Sequence, residues 1–275
     1  MHPLARIPTM TGPDSPTHHP QPSLVWLASY PKSGNTWLRF LLYHYLYKEA
    51  RHTDDLARKI PDIHSVSRLD VMQPKTLFCK THYAMSDSHP YLSYTTAFIY
   101  IMRHPRDVLL SNLNYFRVSG HANNFDEHRF AHAFIDNLGA EFWSKRGIGN
   151  WPGHLESWLG APRYPHLVLR YEQMLADPHT CLRETLQFLN IEIDERHLNR
   201  AVHQSSFEKL RSLELREKKR GKFTSVFSGT PEATQAGFWF MNKGQSGQTL
   251  AHLGKEIEEH FDERFDKALK LWGYK

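Results

Sequence analysis

Cysteine is nearly absent from this 275-residue sequence: Cys79 and Cys181 are the only two, and neither stands in a Cys-x-x-Cys pair. Two cysteines cannot build a disulfide framework, so the sequence reads as that of a protein from a reducing compartment. No apolar run approaches the roughly 20 residues that span a bilayer. The N-terminus lacks the charged start, apolar stretch and small-residue cleavage site of a secretory signal. A cytoplasmic location is the expectation. Long basic runs are missing as well, since Lys and Arg outnumber Asp and Glu by only 34 to 29. That excess suits a small polyanionic ligand, or simply a solvated surface, and does not track a nucleic-acid backbone. There is no internal repeat. The 40% of hydrophobic residues that remain are enough for one sizeable core rather than two small ones.

Residues 1–22 are rich in Pro, His, Thr and Ser and have no periodic apolar pattern. Such a stretch buries too little surface to offset its ordering entropy, so we expect a flexible tail followed by one domain over 23–275. The apolar run Leu24 to Ala28 reads as a buried strand, with a Pro/Gly/Ser turn after it and a helix from about Asn35 to Glu49. Thr76 to Cys79, Thr96 to Met102 and His166 to Arg170 read as further strands, the second running into a helix near Pro105. Helices are expected near Asp177 to Leu189, Asp194 to Ala201, Phe207 to Arg216 and Leu253 to Trp272, and 221–247 as a long loop that orders on binding. Strands alternating with helices predict a single three-layer α/β domain, a central parallel sheet with helices on both faces and ligands at the carboxyl ends of its strands.

The first turn carries the strongest signal. Tyr30-Pro31-Lys32-Ser33-Gly34-Asn35-Thr36-Trp37 lies where a strand ends and a helix begins, so free backbone N–H groups and the positive helix end converge there. Ser33, Gly34, Asn35 and Thr36 offer backbone donors, Gly34 permits close approach, Lys32 adds a full charge, and Trp37 suits a purine face. The order is not that of a nucleoside-triphosphate loop, in which Lys follows the second Gly and a hydroxyl residue follows Lys. A plain strand-to-helix connection with a core Trp is the alternative. The segment resembles the 5′-phosphosulfate loop of the cytosolic sulfotransferase family, with Asn35 in place of a usual Thr. The resemblance implies a phosphate-binding strand–loop–helix of the P-loop NTPase kind. It also implies the donor 3′-phosphoadenosine 5′-phosphosulfate (PAPS), with adenosine 3′,5′-bisphosphate (PAP) as product and no metal.

Other segments carry the same resemblance. Lys80-Thr81-His82 matches the family segment that bears the catalytic base, which makes His82 the candidate to take a proton from an acceptor hydroxyl. Alone, such a His is more often structural. Arg103 and Ser111, within Ile99 to Ser111, resemble the clamp for the 3′-phosphate. Tyr171 resembles an adenine-contacting Tyr, and Ser205-Ser206-Phe207 a second adenine-side segment, through Ser205 and Phe207. Lys243 and Gly244 resemble part of a C-terminal phosphate loop that departs from the family at Asn242.

The resemblance runs from about Val25 to the end, and its pattern looks especially similar to bacterial sulfotransferases that modify glycopeptide antibiotics. It implies in-line sulfuryl transfer to a hydroxyl of a small-molecule or peptide-like acceptor, with His82 as base and Lys32 and Lys80 stabilising charge. A glycan or lipid hydroxyl is the alternative acceptor. A kinase would need magnesium and ATP turnover, and a non-catalytic nucleotide-binding module would be indifferent to the 3′-phosphate.

Three further features stay open on sequence alone. His128 and His132, four apart on a helix, lack a third metal ligand. Arg216 to Lys222 reads equally as steering charge or solvated surface. Nine aromatics between Tyr115 and Trp158 divide between core and acceptor cavity in a way that spacing does not reveal.

Overall fold

The computed structural model describes residues 23–73, 75–121 and 125–275, so the tail expected over 1–22 lies outside the described residues. The first strand, β1 (Leu24–Ala28), buries all five of its side chains. A run without polar alternation is what a strand covered on both faces requires. With β2 (Leu77–Thr81), β3 (Thr95–Met102) and β4 (His166–Arg170) it forms an all-parallel sheet in the order β2-β1-β3-β4. The chain steps from β1 to β2 on one side and returns past β1 to β3 on the other. The carboxyl ends of β1 and β3 therefore flank a topological switch point, the place where such sheets bind ligands.

Alternate side chains feed two cores. Leu24, Trp26 and Ala28 join Phe98, Tyr100 and Met102 on one face, beneath α3 (Pro105–Phe116), α4 (Glu127–Asp136), α6 (Trp151–Leu159) and α12 (Lys255–Leu271). Val25 and Leu27 join Ile99 and Ile101 on the other. That face lies beneath α1 (Asn35–Leu46), α2 (Thr53–Lys59), α8 (Pro178–Phe188), α9 (Glu195–Gln204) and α10 (Phe207–Lys219). Burying one large apolar side chain contributes roughly 1.5–3 kcal/mol. Trp26, Phe98 and Tyr100, each almost wholly buried, thus make the sheet centre a rigid base for the loops above it. The expected three-layer α/β domain is what the chain forms.

Element boundaries differ from expectation in instructive ways. α1 stops at Leu46 rather than Glu49, because Tyr47, Lys48 and Glu49 are exposed and have no core to hold them. β2 runs two residues past Cys79, since Lys80 and Thr81 pair with Leu27 and Ala28. That extension carries Lys80 to the sheet's carboxyl edge with His82 directly beyond it.

The 221–247 segment is not a loose loop. It contains a short helix, α11 (Pro231–Gln235), capped by Thr230, and it buries Val226 and Phe227 in the second core. The remaining short helices are α5 (Glu141–Ser144) and α7 (Tyr171–Ala176). No helix among the described residues is long and apolar enough to cross a membrane.

Candidate active site

The turn from β1 into α1 is strained where it is most exposed to a ligand. Lys32 has φ +72°, a conformation uncommon for a residue with a side chain, and Gly34 has φ +104°. A Cβ on Gly34 would also stand 2.6 Å from Cδ2 of Tyr171, so glycine is required twice over. Trp37 is the first residue of the turn whose N–H is taken up by the protein, on the Gly34 carbonyl at 2.9 Å. The N–H groups of Ser33, Gly34, Asn35 and Thr36 have no acceptor among the described residues, and the Ser33 hydroxyl is buried without a partner among them. Unspent donors at a helix N-terminus form an anion cradle. The Asn35 side chain does separate work, donating from Nδ2 to the Leu27 carbonyl at 2.7 Å and so tying the turn to β1.

Arg103, at the end of β3, joins this cradle to the rest of the cleft. Its Nη1 donates to the Lys32 carbonyl at 3.1 Å and its Nη2 to the Gln245 carbonyl at 2.8 Å, while Nε is buried with no partner among the described residues. The guanidinium lies 4.1 Å from the Tyr171 ring centroid. Ser111, on α3, lines the same cavity as Arg103, as the fold-back of strand and helix demands. Trp37 stands edge-on to Tyr171 at 5.8 Å and donates from Nε1 to the Ser205 carbonyl at 2.9 Å. Phe207 opens α10 beside them, and Gly244 lies so close that a Cβ there would meet Phe207 at 2.6 Å. Lys243 lines a smaller adjoining cavity of about 370 Å3 that shares Arg103, Ser111 and Tyr171 with the main one. Ser205 is buried and its hydroxyl is 2.9 Å from His44 Nδ1, so only its main chain faces this neighbourhood.

The turn after β2 is built differently. His82 Nδ1 lies 2.7 Å from the Ser29 carbonyl, which can only accept; Nδ1 therefore carries the proton, and in the neutral ring Nε2 keeps its lone pair. Nε2 has no partner among the described residues. Burial, with Lys80 and His64 adding to it, holds His82 well below the usual imidazole range, so the ring is neutral around pH 7. Its backbone N–H donates to His64 Nε2 at 2.9 Å, and its carbonyl accepts from His154 Nε2 at 3.0 Å. Lys80 donates to Asp62 Oδ2 at 2.7 Å, a pair that is 13% and 9% exposed. Burial lowers Lys80, while Asp62 works in the opposite direction.

Lys32 has no such partner. Its Nζ sits 4.8 Å from the centroid of Tyr115 and 4.1 Å from that of Phe240. Burial first, then Lys80 and Arg103, pulls its pKa down to about 7, and the more distant Glu214 opposes them. Phe240 is held in place by Glu214, which is fully buried. Glu214 accepts the N–H groups of Phe240 at 2.7 Å and Met241 at 2.9 Å, and pairs with Lys218 at 2.6 Å. The stretch Arg216 to Lys222 is thus partly structural: Lys218 is buried and Lys222 pairs with Asp54.

The turn from Gly34 to Trp37, with Lys32, Lys80, His82, Arg103, Ser111 and Tyr171, lines one cavity of about 700 Å3. Of the aromatics between Tyr115 and Trp158, it takes in Tyr115, Phe142 and Trp143, whereas Phe134, Trp151 and Trp158 are sealed in the core. Asp62, His64 and Glu214 escape sequence reasoning, and so does the contact of Phe240 with Lys32, although Phe240 opens the segment that resembles the C-terminal phosphate loop. The hint for Glu214 is its helical spacing from Lys218. The His128/His132 pair leads elsewhere: the His132 ring lies 5.7 Å from that of His260, whose Nε2 meets Asp136 at 3.1 Å. No group of three or more His, Cys, Asp or Glu able to hold a metal occurs among the described residues.

Known proteins resemble the chain over most of its length. Mouse Sulfotransferase 1A1 is 25% identical over 264 residues, covering 90% of this chain and 85% of that protein. Human Sulfotransferase 1E1 is 26% identical and covers 91% of this chain and 85% of its own. Among solved structures, retinol dehydratase in complex with retinol and PAP superposes with a TM-score of 0.63 at 20% identity, over 91% of this chain and 82% of that one. A mouse sulfotransferase complexed with PAP gives 0.61 at 19% identity, over 92% and 88%. The sulfotransferase domain profile matches residues 22–273, nearly the whole length, and the chain belongs to that family, the PAPS-dependent sulfotransferases.

Proposed function

We propose that this enzyme transfers a sulfuryl group by in-line displacement to a hydroxyl of a small-molecule or peptide natural product, with His82 as general base. The observation that carries the reading is the His82 tautomer. The bond from Nδ1 to the Ser29 carbonyl leaves Nε2 unprotonated, and His82 lines a cavity together with Lys32, Lys80 and Gly34 to Thr36.

The cleft fits a doubly phosphorylated adenosine. The orphaned Ser33 hydroxyl and Arg103 Nε, the bare N–H groups of the turn, and the ring pair of Trp37 and Tyr171 are what one phosphate, a second phosphate and a purine require. When bound, PAPS supplies the sulfuryl group, and PAP is what leaves. In this reading Lys32, Ser33, Gly34, Asn35 and Thr36 hold the 5′ side, Arg103 and Ser111 with Lys243 and Gly244 the 3′-phosphate, and Trp37, Tyr171 and Phe207 the base.

Two of the expected roles change in detail. Ser205 contributes through its carbonyl, which fixes the Trp37 indole, rather than through its hydroxyl. Lys80 has one N–H committed to Asp62 and two left for oxygens of the transferring group. His82 Nε2 takes the acceptor proton as the oxygen attacks, while Lys32 and Lys80 face the charge that develops. We assign this work to the domain over 23–275 and to the cytoplasm, with no metal.

Calorimetry with PAP and with adenosine 5′-monophosphate, at fixed salt and without metal, tests the reading. Marked preference for the bisphosphate is expected. Equal binding would remove the 3′-phosphate clamp and with it the donor assignment.

A further inference from the structure

The cavity carries more positive charge than its donor end accounts for. Its lining includes Lys32, Lys80, Arg103 and Arg146, against a single carboxylate, Asp62, already committed to Lys80. Arg146 stands apart from the other three. It is not among the residues of the smaller cavity, which continues the cleft around Arg103, Ser111 and Lys243. It lies two residues past the end of α5, and nothing in the phosphate-binding turn touches it.

Its guanidinium is held in place without being neutralised. Nη1 donates to the Phe142 carbonyl at 3.0 Å, and the guanidinium carbon lies 3.5 Å from the centroid of the Phe142 ring. The nearest acidic residue on α5, Glu141, is paired with Lys145 at 2.6 Å. Arg146 has no carboxylate partner among the described residues, and it is exposed. A planar fork fixed by a ring and a carbonyl is pre-organised for a bidentate anion.

A continuous row of rings connects this cation to the proposed site of transfer. Phe142 meets Trp143 edge-on at 4.6 Å, Trp143 meets Tyr115 at 5.5 Å, and Tyr115 carries Lys32 Nζ over its face at 4.8 Å. A substrate lying along this wall has its hydroxyl beside Lys32 and His82 and its far end beside Arg146. Ring faces favour an aromatic body, and a free guanidinium favours a negative terminus.

We propose that Arg146 is a specificity-determining residue and that the acceptor class is aromatic hydroxy acids, bound with the carboxylate on Arg146 and the hydroxyl at His82. This rests on the reading of the cavity as the acceptor site of a sulfotransferase.

The test uses the full chain with PAPS and four acceptors: para-hydroxyphenylpropionate, para-hydroxyphenylhexanoate and the methyl ester of each. An ester keeps the shape and removes the charge. At least one acid is expected to exceed its ester about tenfold in kcat/KM, and Arg146→Gln to bring that ratio to about one. Arg146→Lys, which keeps a charge but loses the fork, should retain part of the preference. Equal turnover of acid and ester by the native chain, or an acid preference that survives Arg146→Gln, overturns the proposal. PAP binding is measured alongside by calorimetry to separate two kinds of failure. Sulfation of none of the four phenols with PAP still bound overturns the acceptor class and leaves the donor reading standing. Failure to bind PAP overturns the reading beneath it.

Discussion

The turn after β1 and the end of β2 each place one half-buried lysine at the carboxyl edge of the sheet, and they treat it in opposite ways. Lys80 lies against Asp62 at 2.7 Å, so a carboxylate offsets part of the cost of holding its charge away from water. Lys32 is walled by the rings of Tyr115 and Phe240, with no carboxylate in contact, and its proton is held loosely enough to leave at about pH 7. Aromatic faces attract a cation but replace little of its lost hydration, whereas an ion pair with good geometry replaces much of it. The difference separates a paired charge from an unpaired one. Lys80 has its counter-charge in place, and Lys32 is the cation whose state an arriving anion can change.

The comparison breaks first at Asp62. Asp62→Asn removes the counter-charge of Lys80 while keeping size and one acceptor oxygen, and a buried cation left without its partner is costly. We expect a loss of about 3 kcal/mol in folding stability, read from denaturant midpoints. An unchanged midpoint would mean that the pair contributes nothing and that the two lysines are equivalent.

A somewhat smaller effect, on rate rather than stability, is expected from His82. With Nδ1 tied to Ser29, the ring acts only through Nε2, and His82→Ala should lower turnover on the order of a hundredfold with PAP affinity nearly intact. If turnover is unchanged, the second turn contributes no base and its whole role is structural.

The two turns also differ in how much of them can be read from the chain. Lys32 to Trp37 is contiguous, because a strand end, a glycine and a helix start are local events, and its resemblance to a phosphosulfate loop rests on those residues alone. Arg103 and Ser111 are legible for the same reason. The surroundings of Lys80 and Phe240 are not. Asp62 reaches Lys80 through an isolated bridge between a loop and β2, eighteen residues apart, and His64 arrives with it. Phe240 is fixed by a carboxylate 26 residues earlier, on α10. Pairings of this kind depend on how layers stack, which periodicity does not encode. Ser205 shows the converse: the position matches, but its hydroxyl goes to His44, a partner that only the packing of α1 against α9 provides.

The smallest expected effect is also the sharpest test of the contrast. Lys32 titrates at about 7 in the free chain, down from 10.5, so its ammonium is intact below that value and lost as pH rises through it. A phosphate-bearing ligand needs the ammonium. PAP affinity should therefore be level near pH 6 and weaken on the order of tenfold by about pH 8, since the bound anion must then recruit a proton. His82 does not contribute to this window, because its pKa lies well below 6.5 and the ring is neutral throughout. Arg103 sets the floor of affinity that remains. Lys32→Arg, which cannot lose its charge in this range, should flatten the profile. Calorimetric titration of PAP across the window checks both chains. A level profile in the native chain would place Lys32 among the fixed charges, beside Lys80, and end the distinction between the two turns.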